Sequence, residues 1–230
     1  MSMNDTQTPD RILDIAEAMF AEHGYRAVSL RSITRACGAN IAAIHYHFGS
    51  KQVLLEEIFA RRSGAINDDR RQLLAECGEA AGKPPMLEQL LVAYLKSSFV
   101  LPAGDEGARR FMRLRSVVAH EQAELSRSLI AKHFNDTSAL FIDALARACP
   151  HLARGDIYWR FHFLLGAHYY TLANPGRIQA LSDGACEPAE SGLALDEMVR
   201  FVAAGFRAPP AENRSMRQLR SSAVQLAPLK

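Results

Sequence analysis

Residues 29–51 read SLRSITRACGANIAAIHYHFGSK, and this stretch decides the fold of the N-terminal part of the chain. It predicts a short helix that begins after Ser29, a tight turn at 37–39, and a second short helix from about Asn40 to His47. Two short helices joined by a tight glycine-containing turn are typical of the helix-turn-helix unit, whose second helix enters the DNA major groove. The stretch therefore predicts a DNA-binding element.

The charge pattern of the same stretch favours nucleic acid as the partner. Arginine occupies positions 26, 31 and 35, lysine occupies position 51, and no Asp or Glu occurs between Glu22 and Glu56. A basic segment free of acidic residues suits the phosphate backbone, which supplies much of the affinity in DNA binding. The formal net charge of the whole chain is only +2, so the local distribution and not the total carries this inference.

The pair Cys37-Gly38, followed by YHFGSK at 46–51, resembles the DNA-binding signature of the TetR/AcrR family of transcriptional regulators. The resemblance extends over the helix expected at 12–23 and the Gly-Tyr pair after it. It implies an all-α protein, with an N-terminal helix-turn-helix three-helix DNA-binding domain and a C-terminal helical ligand-binding and dimerisation domain, and it implies no cofactor. His45 departs from the usual pattern, so the operator of a relative does not transfer to this chain.

The order of Gly, Pro and apolar patterns predicts the domain organisation. We expect a helix-turn-helix domain at 1–50, a connecting helix at 51–77, an effector-binding and dimerisation domain at 86–207, and a weakly ordered tail at 208–230. The break between the second and third of these is GEAAGKPP at 78–85. Within the C-terminal domain, apolar periodicity predicts helices at 86–101, 106–122, 124–149, 155–174 and 193–207, and the composition of 182–192 predicts a mobile loop.

Nine residues are candidates for DNA contact, because they lie at the start of the first short helix, in the second, or just after it. Asparagine pairs with adenine and an alanine methyl packs on thymine, although Asn40 equally suits a helix cap. Arg31 suits guanine or a phosphate, and Ser29 suits a phosphate at a helix N-terminus. The family resemblance implies phosphate contacts for Tyr46 and Lys51. The set is Ser29, Arg31, Asn40, Ala42, Ala43, His45, Tyr46, His47 and Lys51.

A recognition helix this short reads few base pairs, which favours a two-fold dimer on a palindromic operator in double-stranded DNA. The segment IYWRFHFLLGAHYYTLA at 157–173 is apolar on two sides, so we expect burial on both. The alternative is that this helix and the one at 193–207 are the core of a single subunit. The predicted homodimer interface consists of Phe161, Leu165, Gly166, Tyr169, Met198, Val202 and Phe206.

Aromatic side chains interrupted by polar groups in the C-terminal region predict a pocket for a small-molecule effector, although such stripes are also typical of plain core. The candidate lining is Phe99, Phe111, Arg115, His120, Phe141, Trp159 and Phe163. FMRLRS at 111–116, the segment 157–172 and FVAAGFRA at 201–208 resemble the PsrA branch of regulators of fatty-acid metabolism. That resemblance implies a ligand of fatty-acid type.

Other classes of protein fit the sequence less well. The four cysteines are far apart without a CxxC pair, and the two histidines at 45 and 47 lack acidic or cysteine partners, so we expect no metal site, no disulfide framework and a reducing cytoplasm. The N-terminus does not resemble a signal peptide and no run of 18 apolar residues occurs, so no membrane is expected as a partner. We therefore expect a homodimeric repressor released from DNA by a largely apolar ligand. The alternatives are a ligand-independent regulator or activator with a solid C-terminal domain and, remotely, an all-helical enzyme, although no catalytic motif is present.

Overall fold

The computed structural model describes residues 7–38, 40–78, 85–99, 106–173, 176–188 and 191–210, and this part of the chain is helical without a β-strand. The helices are α1 (Gln7–His23), α2 (Leu30–Cys37), α3 (Ile41–Phe48), α4 (Lys51–Gly78), α5 (Leu87–Phe99), α6 (Glu106–Glu121), α7 (Ala123–Ala148), α8 (Arg154–Ala173), α9 (Arg177–Leu181) and α10 (Ser191–Arg207). The predicted all-α fold is confirmed. The short helix α9 was not predicted, because five residues carry too little periodicity to be recognised.

The predicted helix-turn-helix is present at 30–48. A capping box closes the start of α2: the backbone N–H of Ser32 donates to Ser29 Oγ at 3.1 Å, and the Ser29 N–H donates to Ser32 Oγ at 3.0 Å. Gly38 ends α2 with φ +64°, a left-handed conformation that glycine adopts without strain. Residue 39, the last of the predicted turn, lies outside the described residues.

Two hydrophobic cores hold the helices together, and the first of them crosses the expected domain boundaries. The first lies in the head, which we define as α1–α3 with the N-terminal half of α4, but α6 and α7 also contribute to it. Phe111 of α6 packs edge-on against Phe59 of α4, with 5.1 Å between the ring centroids. The second core joins α5, α7, α8 and α10. The expected division at residues 50 and 51 is therefore not a division between cores.

A buried carboxylate ties α1 to α4. Glu17 is fully buried and accepts hydrogen bonds from Arg61 Nη2 at 3.1 Å and from Arg62 Nε at 3.0 Å. Burial raises the pKa of the Glu17 carboxyl, although both arginines act in the opposite direction. The guanidinium of Arg62 also fills the space beside Gly107 in which any larger residue would place its Cβ.

The other end of α6 is fastened to the head as well. Glu121 Oε2 accepts a hydrogen bond from the backbone N–H of Arg26 at 2.8 Å, and its carboxylate lies against the Cα of Gly24. Gly24 has φ +91° and no side chain, so the loop between α1 and α2 can turn close to this carboxylate. Helix α6 therefore contacts the head near both of its ends.

The end of α10 is held by one arginine. Arg160 Nη1 donates to the carbonyl oxygens of Gly205, Phe206 and Ala208 at 2.7, 2.9 and 2.7 Å. The first residues of the predicted tail are therefore anchored, and residues 211–230 of that tail lie outside the described part of the chain. No helix among the described residues combines the length and the apolar character needed to cross a lipid bilayer.

Candidate nucleic-acid interface

Two buried residues fix the orientation of α3. Ile44 is fully buried and Phe48 is nearly so, and both belong to the core of the head. Because they lie four residues apart on one face of the helix, Ala42 and Tyr46 fall on the opposite face. The Tyr46 side chain is 86% exposed, which is uncommon for a residue that prefers to bury part of its ring. Helix α3 thus presents an aromatic hydroxyl to solvent.

Asn40 caps this helix. Its Oδ1 accepts a hydrogen bond from the backbone N–H of Ala42 at 3.0 Å, which satisfies one of the free donors at the start of α3. The capping alternative is therefore realised, and the amide nitrogen of Asn40 stays available at an exposed position. Ala43 lies one residue further along α3, and its side chain is outside the described residues.

The two histidines of α3 have different surroundings. His45 Nδ1 lies 3.0 Å from the carbonyl oxygen of Gly49, which selects the tautomer that carries the proton on Nδ1. His47 is exposed and its ring packs edge-on against Tyr46, with 5.1 Å between the centroids. Among the residues that the structure describes, no group of three or more His, Cys, Asp or Glu side chains is arranged to hold a metal ion.

The capping box changes what Ser29 offers to a ligand. The sequence predicted that Ser29 binds a phosphate. Its backbone N–H is already donated to Ser32 Oγ, so this group is not available for that contact. The amides of Leu30 and Arg31 lie in the first turn of α2, where backbone N–H groups have no partner within the helix and the helix dipole is positive. This helix N-terminus therefore still suits a phosphate, through different donors.

Lys51 is held inside the head rather than extended into solvent. Its Nζ donates to the carbonyl oxygens of Tyr25 at 2.7 Å and Val28 at 2.8 Å, and it lies 4.4 Å from the centroid of the Tyr25 ring. Desolvation lowers the pKa of the Lys51 ammonium, and the nearby carboxylate of Glu121 acts in the opposite direction. The geometry gives Lys51 a positioning role for the loop between α1 and α2, where the sequence predicted a phosphate contact.

Three arginines give the surface its charge. The side chains of Arg26, Arg31 and Arg35 are exposed, and among the described residues none of the three forms an ion pair. Exposed guanidinium groups without a carboxylate partner are free to bind phosphate oxygens. The segment that contains α2 and α3 is therefore basic and without ion pairs among the described residues, and it has no acidic residue of its own, although Glu121 of α6 contacts the loop before α2 at the Arg26 backbone.

The residues predicted to line an effector pocket do not all come together. Phe99, Phe111, Arg115 and Phe141 are buried, whereas His120 is exposed and Trp159 and Phe163 are 64% and 62% exposed. The last two lie on the outer face of α8, because the inner face is occupied by Phe161 and Leu164. The prediction is therefore wrong for His120, Trp159 and Phe163.

The predicted dimer interface is corrected in a similar way. Phe161, Met198, Val202 and Phe206 belong to the protomer's own core, as the single-subunit alternative required. Leu165 and Tyr169 are half-buried, and Gly166 is exposed with open space where a Cβ would lie. The outward row of apolar side chains is instead Trp159, Phe163 and Tyr170 on α8 with Leu193 and Phe201 on α10.

Comparison with known proteins agrees with this architecture. The profile of bacterial regulatory proteins of the tetR family matches residues 12–58, and the profile of the tetracyclin repressor-like C-terminal domain matches residues 92–205. The HTH-type transcriptional repressor KstR2 of Rhodococcus jostii (strain RHA1) is 43% identical over 47 residues, which are 20% of this chain and 23% of that protein. The chain thus aligns with only about a quarter of the length of this curated relative and of the regulator UidR of Escherichia coli.

Solved structures resemble the chain over most of its length. A TetR-family regulator from Bordetella parapertussis 12822 superposes with a TM-score of 0.63 at 21% identity, covering 91% of this chain and 97% of that one. A transcriptional regulator from Saccharomonospora viridis in complex with choline gives 0.59 at 20% identity, covering 85% and 96%. At these identities the likeness concerns the fold, while the two profiles together span most of the sequence. The chain is therefore a member of the tetR family, whose proteins are DNA-binding transcriptional regulators and not enzymes.

Proposed function

We propose that this chain represses transcription as a homodimer bound to a palindromic operator, and that a small molecule bound in the C-terminal region releases it. The observation that carries the proposal is α3, which presents Ala42 and the 86% exposed Tyr46 within a basic segment that contains no acidic residue between Glu22 and Glu56. Such a surface suits phosphates, and so short a helix reads bases only near its exposed face.

Base reading falls to a few side chains. Asn40 and His45 each use one polar atom within the head and keep another for a base edge, and the Ala42 methyl suits thymine. Ala43 and His47 remain candidates by position. Arg31 and the amides at the start of α2 suit phosphates that flank the major groove.

The proposed dimer is held by the outward apolar row of α8 and α10. Trp159 and Phe163 stack with 5.8 Å between their centroids, and Phe201 is 72% exposed on the adjacent helix. A groove of about 290 Å³ opens beside Phe201 and is lined mainly by apolar side chains of α8, α9 and α10. An apolar surface of this kind is typical of a homodimer interface. The dimer would place two recognition helices about 34–36 Å apart, or a multiple of that spacing, on successive major grooves.

Release by a ligand requires a connection between the C-terminal core and α3, and α6 supplies the contacts for one. Its middle carries Phe111 and Arg115 in the interior, and its end carries Glu121 against the Arg26 backbone. A shift of α6 would move the loop that Lys51 also holds, and with it α2 and α3. The ligand releases the protein from DNA only to the extent that it binds the shifted position of α6 better than the position that α6 has on DNA.

Two likenesses bear on the class of ligand. One structural neighbour holds choline, which makes a small molecule in this fold reasonable, and the sequence resemblance to the PsrA branch favours a molecule of fatty-acid type. The alternatives are an activator and a ligand-independent regulator. A transcription assay from the selected operator distinguishes an activator, because the purified protein then raises and does not lower transcript yield.

DNA binding is tested by selecting sites from a random pool with the full-length chain and measuring affinity by fluorescence anisotropy. We expect a palindromic site whose recognition is lost in Tyr46→Ala and weakened in Arg31→Met. Arg127→Met, which removes a 75% exposed arginine from α7, is the control and leaves affinity unchanged. Failure to enrich any site refutes the proposal.

The dimer is tested by light scattering against the monomer mass of 25.4 kDa. We expect twice this mass for the wild type and the monomer mass for Phe201→Asp. The control Leu140→Asp places the same charge at a 45% exposed apolar position on α7, outside the row, and should remain dimeric. Gly166→Leu is a second probe, since the protomer has room for the side chain. A wild-type monomer in dilute solution refutes the dimer.

A further inference from the structure

Arg115 is a buried cation for which the described residues supply no anion. Only 8% of the residue is exposed, and its guanidinium lies 4.6 Å from the ring centroid of Phe134 and 4.4 Å from that of Tyr169. Its remaining polar contact is Met112 Sδ at 4.0 Å, a weak acceptor. No carboxylate of the described residues lies within ion-pair distance of it. Aromatic faces attract a cation but leave its N–H donors without acceptors.

A second buried arginine enters the same region from α4. Arg70 is 2% exposed, donates from Nε to the carbonyl oxygen of Tyr94 at 2.8 Å and from Nη2 to Ser98 Oγ at 3.3 Å. Its guanidinium also covers the Tyr94 ring at 3.9 Å. These partners are all neutral, so the described residues leave this charge uncompensated as well.

His168 of α8 is a third buried polar group in the same region. It is fully buried, its ring lies 5.5 Å from that of Phe99, and neither Nδ1 nor Nε2 has a hydrogen-bond partner among the described residues. The His168 ring also lies 5.2 Å from that of Tyr169, over which the Arg115 guanidinium is placed. Phe99 is the residue after Ser98, which accepts from Arg70. Burial lowers the pKa of His168 well below its usual value, and the charges of Arg70 and Arg115 act in the same direction.

This set, which we call the buried cationic cluster (Arg70, Arg115 and His168), is unfavourable for an unliganded core. An isolated buried charge is costly, two like charges repel, and an imidazole with two unsatisfied nitrogens loses its hydrogen bonds to water. Five helices contribute its members and their aromatic neighbours: α4, α5, α6, α7 and α8. Groups that cost stability and converge on one place are typical of binding sites.

We propose that the buried cationic cluster binds the anionic group of an organic ligand, a carboxylate or a phosphate, whose apolar body packs among the surrounding aromatic rings. The anion would accept N–H donors from Arg115 and Arg70 in the planar geometry that guanidinium groups favour. His168 would donate its single ring proton to the same anion. Phe99, Phe134 and Tyr169 supply the apolar walls.

The proposal deepens the proposed function, since it names the chemical class of the ligand that α6 would sense. Arg115 lies in the middle of α6, the helix whose last residue, Glu121, contacts the head. An anion bound to Arg115 would therefore act on α6, which contacts the head that carries the recognition helix α3. The alternative is that both arginines are structural: Arg115 is then held by aromatic faces, and Arg70 by the Tyr94 ring and its hydrogen bonds to the Tyr94 carbonyl and Ser98.

The test uses the full-length protein and three probes of similar size: phenylbutanoate, phenyl phosphate and neutral phenylbutanol. Isothermal titration calorimetry and thermal denaturation should show binding of at least one anion and much weaker binding of the alcohol. A preference between the two anions identifies the head group as carboxylate or phosphate. Equal binding of the alcohol, or no binding of either anion, overturns the proposal.

Arg115→Met tests the site without relying on the choice of probe. Methionine keeps the length of the chain and removes the charge, so the variant should lower anion affinity about tenfold or more and raise the melting temperature of the unliganded protein. Arg127→Met on the exposed side of α7 should change neither. An unliganded Arg115→Met protein that melts below the wild type makes Arg115 a structural residue and refutes the proposal.

Operator binding separates this proposal from the proposed function. Arg115→Met should bind the selected operator as the wild type does and lose its response to the anion. If the wild type binds the anion but no DNA site, the ligand site stands and the proposed regulatory role fails. If it binds DNA and the anion leaves the operator affinity unchanged, the site stands and its link to α6 fails.

Discussion

Replacing Lys51 by methionine should destabilise the head without changing the number of phosphates that the protein contacts. In the structure the ammonium group joins α4 to the loop between α1 and α2 through the carbonyl oxygens of Tyr25 and Val28. Methionine keeps most of the apolar stem and removes the charge and its donors. The loop carries Arg26 and leads into α2, so its loosening also displaces α3.

The size of the effect follows from the contacts. Hydrogen bonds with a charged partner contribute about 1.5–3 kcal/mol each, and Lys51 makes two short ones, at 2.7 and 2.8 Å, with a longer one to the Arg26 carbonyl at 3.4 Å. The lysine is only half-buried, so water replaces part of what is lost and the total falls to about 2–3 kcal/mol. For a chain of this size that corresponds to a melting temperature lower by about 5–10 °C.

Two measurements on Lys51→Met separate positioning from phosphate binding. Thermal denaturation gives the change in stability, and operator titrations at several salt concentrations give the slope of log affinity against log salt. We expect a lower melting temperature and an unchanged salt slope for Lys51→Met. The matched control is Arg31→Met, which removes an exposed and unpaired cation: its stability should be unchanged and its salt slope lower by about 0.9.

The opposite pattern would refute this reasoning. A Lys51→Met protein as stable as the wild type, with a salt slope reduced by about one unit, shows that the lysine leaves its carbonyl partners and binds a phosphate on DNA.

Three further predictions concern the cap, the α1–α4 contact and pH. Asn40→Ala should lower the free energy of unfolding, measured by urea denaturation, by about 1 kcal/mol because α3 loses its cap. Asn40→Asp should keep most of that stabilisation, because Asp is also a good N-cap. Glu17→Gln should lower stability by about 2 kcal/mol, since Arg62 loses its carboxylate partner and Arg61 keeps only the exposed Asp10 and Asp14, and thermal denaturation measures this. The lowered pKa of His168 means that the unfolded chain takes up a proton that the folded core rejects, because burial desolvates the ring and the charges of Arg70 and Arg115 also disfavour its protonation. Stability should therefore be full above pH 6.5 and fall by up to about 1.4 kcal/mol per pH unit below it, a dependence that His168→Phe should reduce.

Each of these has a contrary outcome. Equal stability of Asn40→Ala and Asn40→Asp would mean that the side-chain cap does not contribute. A Glu17→Gln protein as stable as the wild type would show that burial of the carboxylate offsets its two ion pairs. His133 has a lowered pKa as well, so the pH series includes His133→Gln, and a pH dependence unchanged by His168→Phe contradicts the assignment to His168.

Local signals predicted the head well. Ser29 and Asn40 are helix N-caps and Gly38 is a left-handed C-cap, and such caps act within a few residues of the chain. The structure places α2 and α3 where these caps predict them. The role of Lys51 was not predictable in this way, because its partners lie 23 to 26 residues away in the chain. Sequence spacing does not show which distant carbonyl a lysine will reach.

The C-terminal helices show the limit of periodicity. A helix apolar on two sides predicts burial on both, but Phe161 and Phe163 are equally apolar and differ in exposure because only packing chooses the inner face. Arg70 was missed for the same reason. It lies in the charged run NDDRRQ at 67–72, and such a run is typical of a solvated helix surface. Of the two adjacent arginines in this run, Arg70 is the one that points inward. The lack of hydrogen-bond partners for both ring nitrogens of His168 among the described residues could not be predicted from the sequence.

The shared core has a practical consequence for building chimeric biosensors. Because Phe111, Leu114 and Phe134 of α6 and α7 fill the same core as Phe59 and the head, a cut at 78–85 would leave an open apolar surface on both fragments. Grafting this head onto another sensor module would require transplanting the inward residues of α6 and α7 together with it. Swapping specificity is simpler at the exposed face of α3, where Ala42, His45 and Tyr46 can change without touching any core.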